Sequence, residues 1–516
     1  MPAPSSSPRE KLVGALLAVF AAAVFANSVA NDFVLDDRTI LLDNPKLGSL
    51  ASIPALFAMD YWQPYAKGGL YRPLVTTSYA LNRRAGGEDP RGYHAVNVGL
   101  HALATLLVWM LFRRLPVAPA VAWGGALLFA AHAVHAEAVA NVVGRAELLC
   151  AVFFLAALVA HADAAAAPER RRRLRIGSVA LYALALLSKE NAVTLPAVLL
   201  LHDLVYAPLR ERRFAPRLRR LLDGRGALVY APYLVATAAY LAARHFALAG
   251  GGPTDSIDPI DNPLVSQGLP LRMLNALALG WRYVGRLVWP LHLSYDYSYD
   301  QIELLRSFAE PRAIAVLAAS LGALALWALC WRRWRDLFYA IGFAAIAFSV
   351  TSNLIVSIGT LFAERLLYLP SVGFCLAVAL ALERACRWLP GPRAAHAAFA
   401  GLVAAAVGLH AARAVVRSAD WRSEYQLFLH DLDASPRSAK VQGNAGAVLL
   451  ERGRFEEAAA HLRLATEIAP GRASGYARLG ELFTLPRPQW ENVKGTTGQE
   501  AMPRASRRGV GQTSKA

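Results

Sequence analysis

The chain has 516 residues, of which 56% are hydrophobic, and its mean hydropathy is +0.33. This apolar content is too high for a typical soluble enzyme and favours one large membrane domain over the several soluble domains that the length alone suggests. The formal net charge of +17 resides in short basic clusters between apolar runs, which argues against a nucleic-acid-binding protein. The cysteines lie in or beside apolar segments, so no disulfide framework is predicted for Cys150, Cys330, Cys375 and Cys386.

Along the chain, eleven apolar runs approach the roughly 20 residues that a membrane helix needs. They cover residues 12–30, 93–112, 117–134, 147–166, 176–188, 191–207, 227–248, 313–330, 337–355, 366–383 and 394–412. The first run is similar to a signal peptide, but it is long, lacks a convincing cleavage site and precedes many further runs. We therefore interpret it as an uncleaved membrane helix. The fifth and sixth runs flank the polar Ser188-Lys189-Glu190 break and predict a hairpin of two short helices.

The basic clusters predict the orientation of these helices, because Lys and Arg concentrate in cytoplasmic loops. The clusters are Arg113-Arg114, Arg170 to Arg175, Arg210 to Arg220, Arg332 to Arg335 and Arg384 to Arg393. A cytoplasmic N-terminus followed by eleven spans places every cluster inside and the C-terminus outside. The same alternation places outside residues 31–92, 132–147, 188–190, 249–312 and 357–365.

Residues 271–292 are apolar but contain Arg272, Arg282 and Arg286. A twelfth span here would put the cluster at Arg332 on the wrong side of the membrane. We therefore predict a helix that lies on the outer membrane interface, with its aromatic residues at headgroup level. A true span is the alternative.

The C-terminal region predicts a tetratricopeptide-type helical hairpin over residues 439–470. Small, bulky and terminal residues occupy the positions such a repeat requires, namely Gly446, Leu449, Ala458, Leu462, Ala465 and Pro470. Gly480 lies 34 residues after Gly446, so a second repeat begins in register before it breaks at Leu485-Pro486. The predicted domains are a membrane domain at 1–415 with its outer loop at 31–92, a helical module of about one and a half repeats at 416–485, and a disordered basic tail at 486–516.

Ionisable residues concentrate in the segments predicted to lie outside, and such residues near a membrane are usually functional. The acidic ones include Asp36, Asp37, Glu137, Glu147, Glu190 and Glu364, and the others include Arg72, His94, His135, Arg145, Lys189, Arg365 and Tyr368. Acids and cations that face one compartment suit a reaction between a lipid-borne phosphate and a polar acceptor. Arg and Lys can hold the phosphate, and a carboxylate can take the proton of the acceptor.

Each pattern also has a structural interpretation. Asp36-Asp37 can be a solvated loop start, and Lys189-Glu190 and Glu364-Arg365 can each be an internal ion pair. Acids and bases next to each other in sequence do not by themselves indicate catalysis.

The histidines favour structural roles over metal binding. His94, Asn97 and His101 share one helix face and predict an interhelical hydrogen-bond set. His132 and His135 lack an HExxH arrangement and a cysteine partner, so a divalent metal is unsupported. The chain also lacks the GxGxxG and Walker loops of soluble nucleotide-dependent enzymes.

The order of short motifs resembles that of the transmembrane and tetratricopeptide repeat-containing O-mannosyltransferases and their bacterial homologues. The motifs are Phe33 to Asp37, Asn44-Pro45, Tyr71 to Leu74, Tyr93 to Asn97 with His101, His132 to Val139, Gly144 to Leu148, Ser188 to Glu190, Ser352-Asn353 and Ala363 to Ser371. Each motif is weak alone, but the order, with the repeat behind it, is specific. The match runs from about residue 30 to residue 480.

The resemblance implies a GT-C glycosyltransferase fold. The expected fold class is all-α, a polytopic membrane bundle of about 11 transmembrane helices followed by a short α-hairpin. Such enzymes use a polyprenyl-phosphate sugar at the non-cytoplasmic face, with an acidic residue of the first outer loop as base, and their repeats are thought to handle a protein acceptor. Two features depart from the family: Ala133 replaces an expected proline, and the shortened repeat array weakens the expectation of a protein acceptor.

We therefore expect transfer of a sugar, with mannose as the first candidate, from a polyprenyl-phosphate donor to a hydroxyl acceptor. Asp37 is expected to be the base, with Asp36 beside it. The expected phosphate ligands are Arg72, Arg365 and Lys189. The expected pocket residues are Glu137, His94, His135, Arg145, Glu190, Glu364 and Tyr368.

The expected partners are the lipid bilayer, the polyprenyl-phosphate sugar and a protein acceptor, with no nucleic acid and no certain cofactor. The expected location is a bacterial inner membrane with a periplasmic active face, or the endoplasmic reticulum membrane for a eukaryotic source. The alternatives are a GT-C enzyme that modifies a lipid or glycan, and a non-enzymatic membrane scaffold that docks partners through its repeat.

Overall fold

The computed structural model describes residues 8–64, 68–224, 226–249 and 257–484. Within those ranges the regular structure is helical and contains no strand, which confirms the predicted all-α class. The tail at 486–516, predicted to be disordered, lies outside the described residues.

The first half of the chain contains ten α-helices among its described residues. They are α1 (Pro8–Val24), α2 (Ile53–Leu56), α3 (Pro73–Gly86), α4 (Pro90–Phe112), α5 (Pro119–Ala131), α6 (Ala136–Ala140), α7 (Arg145–Ala166), α8 (Arg171–Ser188), α9 (Leu195–Tyr206) and α10 (Phe214–Leu222). Short 3-10 helices lie between them at Ala26–Ala30, Pro45–Gly48, Leu50–Ser52, Ala133–His135, Val142–Gly144, Pro168–Arg170 and Glu190–Thr194, with a π-helix at Arg38–Leu42.

The described residues of the second half contain ten more. They are α11 (Ala231–Ala249), α12 (Leu269–Val288), α13 (Pro311–Arg333), α14 (Arg335–Ser349), α15 (Pro370–Cys386), α16 (Pro392–Asp420), α17 (Glu424–Ala434), α18 (Ala439–Glu451), α19 (Phe455–Ile468) and α20 (Ala473–Thr484). Further 3-10 helices occur at Ala227–Val229, Pro263–Ser266 and Glu364–Leu367.

Proline fixes the start of many of these helices. It opens α3, α4, α5, α13, α15 and α16, where its missing N–H is not needed and its backbone angle already suits a helix. Asp89 also caps α4, because its side chain accepts a hydrogen bond from the Arg91 N–H at 3.0 Å. The start of each of these helices is therefore determined by residues close to it in the sequence.

Four described helices are long and apolar enough to cross a membrane: Pro90–Phe112, Val142–Ala166, Pro311–Arg333 and Pro392–Asp420. The pair Pro119–Ala131 and Ala133–Ala140, bent by 45°, makes a fifth if it is one span. Other predicted spans coincide with shorter helices, such as α14 with 15 residues and α15 with 17. The structure thus confirms several apolar helices, while the count of eleven spans stays a prediction.

The segment 271–292 folds as the amphipathic helix α12. Leu274, Leu279 and Tyr283 are buried, whereas Trp281 and Val284 on the other face are exposed. The helix is not among the span candidates. Its two-faced character agrees with the predicted surface helix, and its place at the membrane interface stays a prediction.

The chain divides into two compact units. Among the described residues, one unit comprises those of 8–295 and 303–427, and the other comprises 296–302 and 428–484. The predicted domain boundary at 415 falls inside α16, since that helix continues to Asp420.

The smaller unit contains the predicted hairpin as α18 and α19, with α20 packed on it. A Cβ atom at Gly446 would lie only 2.6 Å from the Leu462 side chain, so glycine permits the close approach of the two helices. The segment 296–302 joins this unit through Asp296, whose carboxylate accepts a hydrogen bond from the Ser438 hydroxyl at 2.6 Å. The tetratricopeptide designation of the hairpin stays a prediction.

Candidate active site

The first outer segment turns at Leu35, and the turn gives the two following aspartates different environments. Leu35 has a φ of 53°, which is uncommon for a residue other than glycine. Asp36 is exposed, whereas Asp37 is fully buried. The Asp37 carboxylate accepts hydrogen bonds from the backbone N–H groups of Val34 at 3.1 Å and Val143 at 3.0 Å. Asp37 thus ties this segment to the turn before α7, and Asp36 is the carboxylate that a substrate can reach.

The buried position also changes the acidity of Asp37. Burial and, to a smaller extent, the charge of Asp36 raise the pKa of its carboxyl, whereas the N–H groups of Val34 and Val143 lower it, and the resulting pKa is about 7. Asp37 therefore gains or loses its proton near neutral pH.

Arg72, which precedes the first turn of α3, forms a two-pronged ion pair with Glu190. Its Nε and Nη2 donate to the two carboxylate oxygens at 3.1 and 2.6 Å. The guanidinium also lies 5.4 Å from the ring centre of Tyr61. Glu190 is the more accessible partner, with 36% of its side-chain surface exposed against 13% for Arg72.

Glu190 is charged at neutral pH. Burial would raise the pKa of its carboxyl, but Arg72 and Lys189 lower it to about 2. An accessible, charged carboxylate that is held by Arg72 can be replaced by another anion of similar shape, since carboxylate and phosphate both fit the guanidinium fork.

Lys189 lies in an enclosed ion pair. Its Nζ donates to the carboxylate of Glu147, at the start of α7. Only 6% of the Lys189 side chain and 2% of the Glu147 side chain are exposed. Breaking such a buried pair leaves an uncompensated charge, which typically costs about 3–5 kcal/mol. We therefore interpret Lys189, expected from the sequence to bind phosphate, as a structural residue.

Arg365 forms an ion pair with Glu137, and here the arginine rather than the carboxylate is the more accessible partner. Glu137 is buried and accepts hydrogen bonds from both the backbone N–H of Arg365, at 2.7 Å, and its guanidinium. Only 1% of the Glu137 side chain is exposed, against 35% for Arg365. Burial would lower the pKa of Arg365, but Glu137 raises it, so the guanidinium stays charged. Arg365 can therefore contact an outside anion while it keeps its carboxylate partner.

Electrostatic coupling joins these pairs into one site. The charges of Asp36 and Glu147 both raise the pKa of Arg365, and Glu147 also raises that of Arg72, against the lowering effect of burial. The three ion pairs themselves join all four predicted outer segments that carry these charges. We call this set the outer charge cluster, and it consists of Asp36, Arg72, Glu137, Glu147, Lys189, Glu190 and Arg365.

Adjacent charges in the sequence find separate partners in the structure. Lys189 and Glu190 bind side chains on α7 and before α3, respectively. Arg365 binds Glu137, whereas Glu364 accepts a hydrogen bond from the backbone N–H of Ser294 at 2.8 Å. The charged residues thus form ion pairs with residues far away in the sequence, and not the adjacent Lys189–Glu190 and Glu364–Arg365 pairs that the sequence also allowed. The reason is that neighbouring residues of an extended or 3-10 segment project in different directions.

The polar face of α4 forms hydrogen bonds within the fold, as predicted. Asn97 donates to the main-chain oxygen of Asn141 at 3.0 Å. Nδ1 of His101 lies 2.8 Å from the hydroxyl of Tyr368, and Nε2 of His94 lies 3.4 Å from a main-chain oxygen of the first outer segment. All of these side chains are buried. His94 and Tyr368, expected to line a pocket, therefore pack inside the bundle.

His135 and Arg145 are also internal. Nε2 of His135 lies 2.8 Å from the Ser371 hydroxyl. The guanidinium of Arg145 is fully buried and donates to the side-chain oxygens of Asn97 at 2.9 Å and Asn82 at 2.6 Å. Both residues cross-link separate elements and are buried away from solvent.

No metal centre is evident in the described part of the chain. Groups of three or more His, Cys, Asp or Glu side chains that could hold an ion are absent from residues 8–64, 68–224, 226–249 and 257–484.

Two members of the site had no role assigned from the sequence. Glu147 is the partner of Lys189, and Tyr61 lies beside Arg72. The position of Glu147, in the first turn of a helix that follows an outer segment, was a usable signal because such a residue faces the outer edge of the bundle. Tyr61 lies in an irregular loop and carries no comparable pattern.

Comparisons with known proteins identify the family. The family model described as "Protein O-mannosyl-transferase TMTC, DUF1736" matches residues 252–324. "Protein O-mannosyl-transferase TMTC4" of Homo sapiens is 31% identical over 83% of the chain and 62% of its own length. "Protein O-mannosyl-transferase Tmtc3" of Drosophila melanogaster is 30% identical over 93% of the chain and 58% of its own length. The chain belongs to the TMTC family.

The TMTC match also shows what the motif reasoning overlooked. The segment 252–324 contains α12 and the first part of α13, and none of the motifs that carried the resemblance lies in it. The chain spans about six-tenths of the length of the curated relatives it matches. These relatives are animal proteins, and a bacterial source stays a prediction. No solved structure matches the chain.

Proposed function

We propose that this TMTC protein is a membrane glycosyltransferase. It transfers a sugar, with mannose as the first candidate, from a polyprenyl-phosphate donor to a protein hydroxyl at the non-cytoplasmic face. The names of the relatives support this class of reaction. The observation that supports the mechanism is that three ion pairs join four segments, with the exposed carboxylate of Asp36 on the first of them and the partly exposed guanidinium of Arg365 on the last.

Within this proposal the burial pattern favours Asp36 over Asp37 as the base. A general base must come within hydrogen-bond reach of the proton that it removes. Asp36 is exposed, whereas both oxygens of Asp37 accept backbone hydrogen bonds inside the protein. Asp37 then acts by holding the Leu35 turn that presents Asp36.

The two arginines have different routes to the donor phosphate. Arg365 contacts it directly, because its guanidinium is accessible while Glu137 stays in place. Arg72 reaches it only after Glu190 moves away. Lys189 contributes indirectly, since its pairing with Glu147 fixes the segment that carries Glu190.

The reaction balances without a cofactor. The acceptor hydroxyl gives its proton to Asp36 as its oxygen forms a bond to the anomeric carbon of the sugar. The bond between that carbon and the donor phosphate oxygen breaks, and its electron pair leaves with the phosphate. Arg365 and Arg72 stabilise the charge that develops on the phosphate. The products are a glycosylated acceptor and a polyprenyl phosphate.

The proposal is tested with the full-length protein and a panel of polyprenyl-phosphate sugars labelled in the sugar, offered with serine- and threonine-rich peptides. We expect label on the peptides from at least one donor and none with Asp36→Asn. Asp32→Asn is the matched control, because Asp32 is an exposed aspartate of the same segment.

The distribution of label distinguishes the alternatives. Label on a lipid or glycan in place of peptide would contradict the protein acceptor and favour another GT-C activity. No label from any donor would contradict sugar transfer and favour a scaffold.

A further inference from the structure

A second charged surface lies outside the candidate active site, on the short helix α10. Arg217 and Leu221 are buried on one face of this helix, whereas Arg219, Arg220 and Leu222 are exposed on the other. A short helix with a strongly basic exposed face and an apolar rim is typical of segments that lie at a membrane surface.

Arg217 fixes the orientation of α10. Its guanidinium donates to main-chain oxygens at the end of α9 and just beyond it, including those of Leu204, Ala207 and Glu211. Free carbonyl groups at a helix C-terminus carry partial negative charge, so a buried guanidinium is stabilised there. The helix is therefore anchored by one arginine, and the others are held pointing outward.

The corner between α13 and α14 extends the same surface. The ring of Phe214 packs edge-on against Trp331 with centres 5.2 Å apart, and Arg335 donates to the main-chain oxygen of Arg212 at 2.7 Å. Trp334, which directly precedes Arg335 in the sequence, has an exposed side chain. We call the exposed basic residues of this surface the arginine patch, and it consists of Arg212, Arg213, Arg219, Arg220, Arg332 and Arg333.

The arginine patch lies at the opposite end of the bundle from the outer charge cluster. α9 begins five residues after Glu190, and its 12 residues span about 18 Å before the chain reaches α10. α7 follows the same course, from Glu147 to His161, which lies 3.0 Å from Asp203 on α9. If the cluster faces the outer compartment, the patch faces the cytoplasmic leaflet, in agreement with the positive-inside distribution.

We infer that the arginine patch binds the headgroups of anionic phospholipids in the cytoplasmic leaflet. Guanidinium groups match phosphate oxygens in a two-pronged geometry. The exposed apolar side chains beside them, Phe214, Leu222 and Trp334, require a partner that offers an apolar layer under its anionic surface. A lipid leaflet offers both, whereas a nucleic acid or an acidic protein surface offers only the charge.

Native mass spectrometry of the full-length protein in detergent tests the inference. Phosphatidylglycerol and phosphatidylcholine with identical acyl chains are titrated, and bound lipids are counted. We expect tighter binding of phosphatidylglycerol. The double variant Arg219→Gln/Arg220→Gln should weaken it by roughly tenfold or more, since each surface charge contributes about 1 kcal/mol of attraction to anionic lipid.

The matched control is Arg172→Gln/Arg173→Gln, which removes two exposed arginines from another predicted cytoplasmic cluster. Retained phosphatidylglycerol affinity in this control, with loss in the α10 variant, supports a specific surface. An equal loss in both variants, or an unchanged affinity in the α10 variant, would overturn the inference. Unchanged elution volume and melting temperature of both variants exclude a folding defect.

Discussion

Polar clusters lie at both ends of the helices α7 and α9, and the two clusters differ in whether their charged groups are accessible from outside the protein. At the inner end Asp203 is surrounded by hydrogen-bonding groups within the protein. The Tyr230 hydroxyl donates to it at 2.8 Å, and ring nitrogens of His161 and His202 lie within 3.0 and 3.3 Å. At the outer end, Arg365 and Glu190 are each paired with an opposite charge and yet accessible.

The difference separates a structural cluster from a reactive one. A polar group whose partners are all buried can only stabilise the packing of the helices that carry those partners. A group with one enclosed partner and one accessible edge can accept a ligand without first breaking the fold. Both ends contain carboxylates that are hydrogen-bonded within the fold, so the accessibility of one member of each pair decides which cluster can bind a ligand.

The largest expected effect concerns Asp36. Asp36→Asn should lower turnover by about 10²–10⁴-fold, because the acceptor hydroxyl loses its base. Asp37→Asn should retain more activity, since that residue is proposed to position the loop. Turnover numbers of the two purified variants with a defined donor measure this. A normal rate for Asp36→Asn together with an inactive Asp37→Asn would return the base to Asp37.

The acidity of Asp37 predicts a pH dependence of stability. Its pKa is about 7 in the fold and 3.8 ordinarily, so the folded state binds the proton more tightly. The resulting stabilisation is complete below about pH 4 and is lost as pH rises to 7, at about 1.4 kcal/mol per pH unit within that window. The melting temperature should therefore fall between pH 5 and 7. Asp37→Asn should flatten this slope, and an unchanged slope would assign it to another group.

The two accessible pairs should respond differently to loss of their arginine. Arg72→Ala leaves the accessible Glu190 in water, so the protein should fold normally and bind donor more weakly by about 1.5–3 kcal/mol. Arg365→Ala leaves Glu137 buried without its cation, so it should also lower the melting temperature. Arg365→Lys keeps the charge and should preserve folding while it weakens donor binding. Donor KM values unaffected by all three changes would remove both arginines from the phosphate site.

The enclosed inner cluster should affect stability alone. Asp203→Asn deprives its three donors of a carboxylate and should cost about 1–3 kcal/mol of stability. The donor KM and the turnover number of the folded variant should equal those of the wild type. A change in donor KM would show that the two ends are coupled and would break the distinction between them.

The smallest expected effect comes from Glu190→Gln. A neutral side chain holds Arg72 less strongly, so phosphate should replace it more easily and the donor KM should fall, by about tenfold for a gain near 1.4 kcal/mol. The matched variant Glu147→Gln should instead destabilise the protein, because it leaves Lys189 buried without its anion. A raised donor KM in Glu190→Gln would mean that Glu190 binds the substrate rather than competing with it.

The sequence predicts the helices well, but it predicts poorly which charged side chains form ion pairs with one another. Hydropathy and proline locate α4, α7, α13 and α16, and the arginines within the apolar segment 271–292 indicate the two-faced α12. These features depend on neighbours along the chain. The ion pairs join residues 42 to 228 positions apart, and no local pattern in one sequence records such distances.

The site residues divide in the same way. The sequence places acids and cations in the segments that the ion pairs join, but it does not show which of two adjacent aspartates is turned inward. That choice depends on the backbone at Leu35 and on the N–H group of Val143, more than a hundred residues away. Lys189 shows the same limit, since a cation in a polar break suggests ligand binding, and its enclosed partner Glu147 is not evident from the sequence.

The hydrogen bond between the Ser438 hydroxyl and the Asp296 carboxylate has a consequence for folding during translation. A ribosome adds roughly 5–20 residues per second, so the segment 296–302 emerges on the order of ten seconds before the hairpin that completes its unit. During that interval its polar groups depend on water or on a chaperone. We therefore expect slowed translation between residues 303 and 438 to increase the share of newly made chains captured by chaperones, and Asp296→Ala to lengthen the period before the smaller unit resists protease.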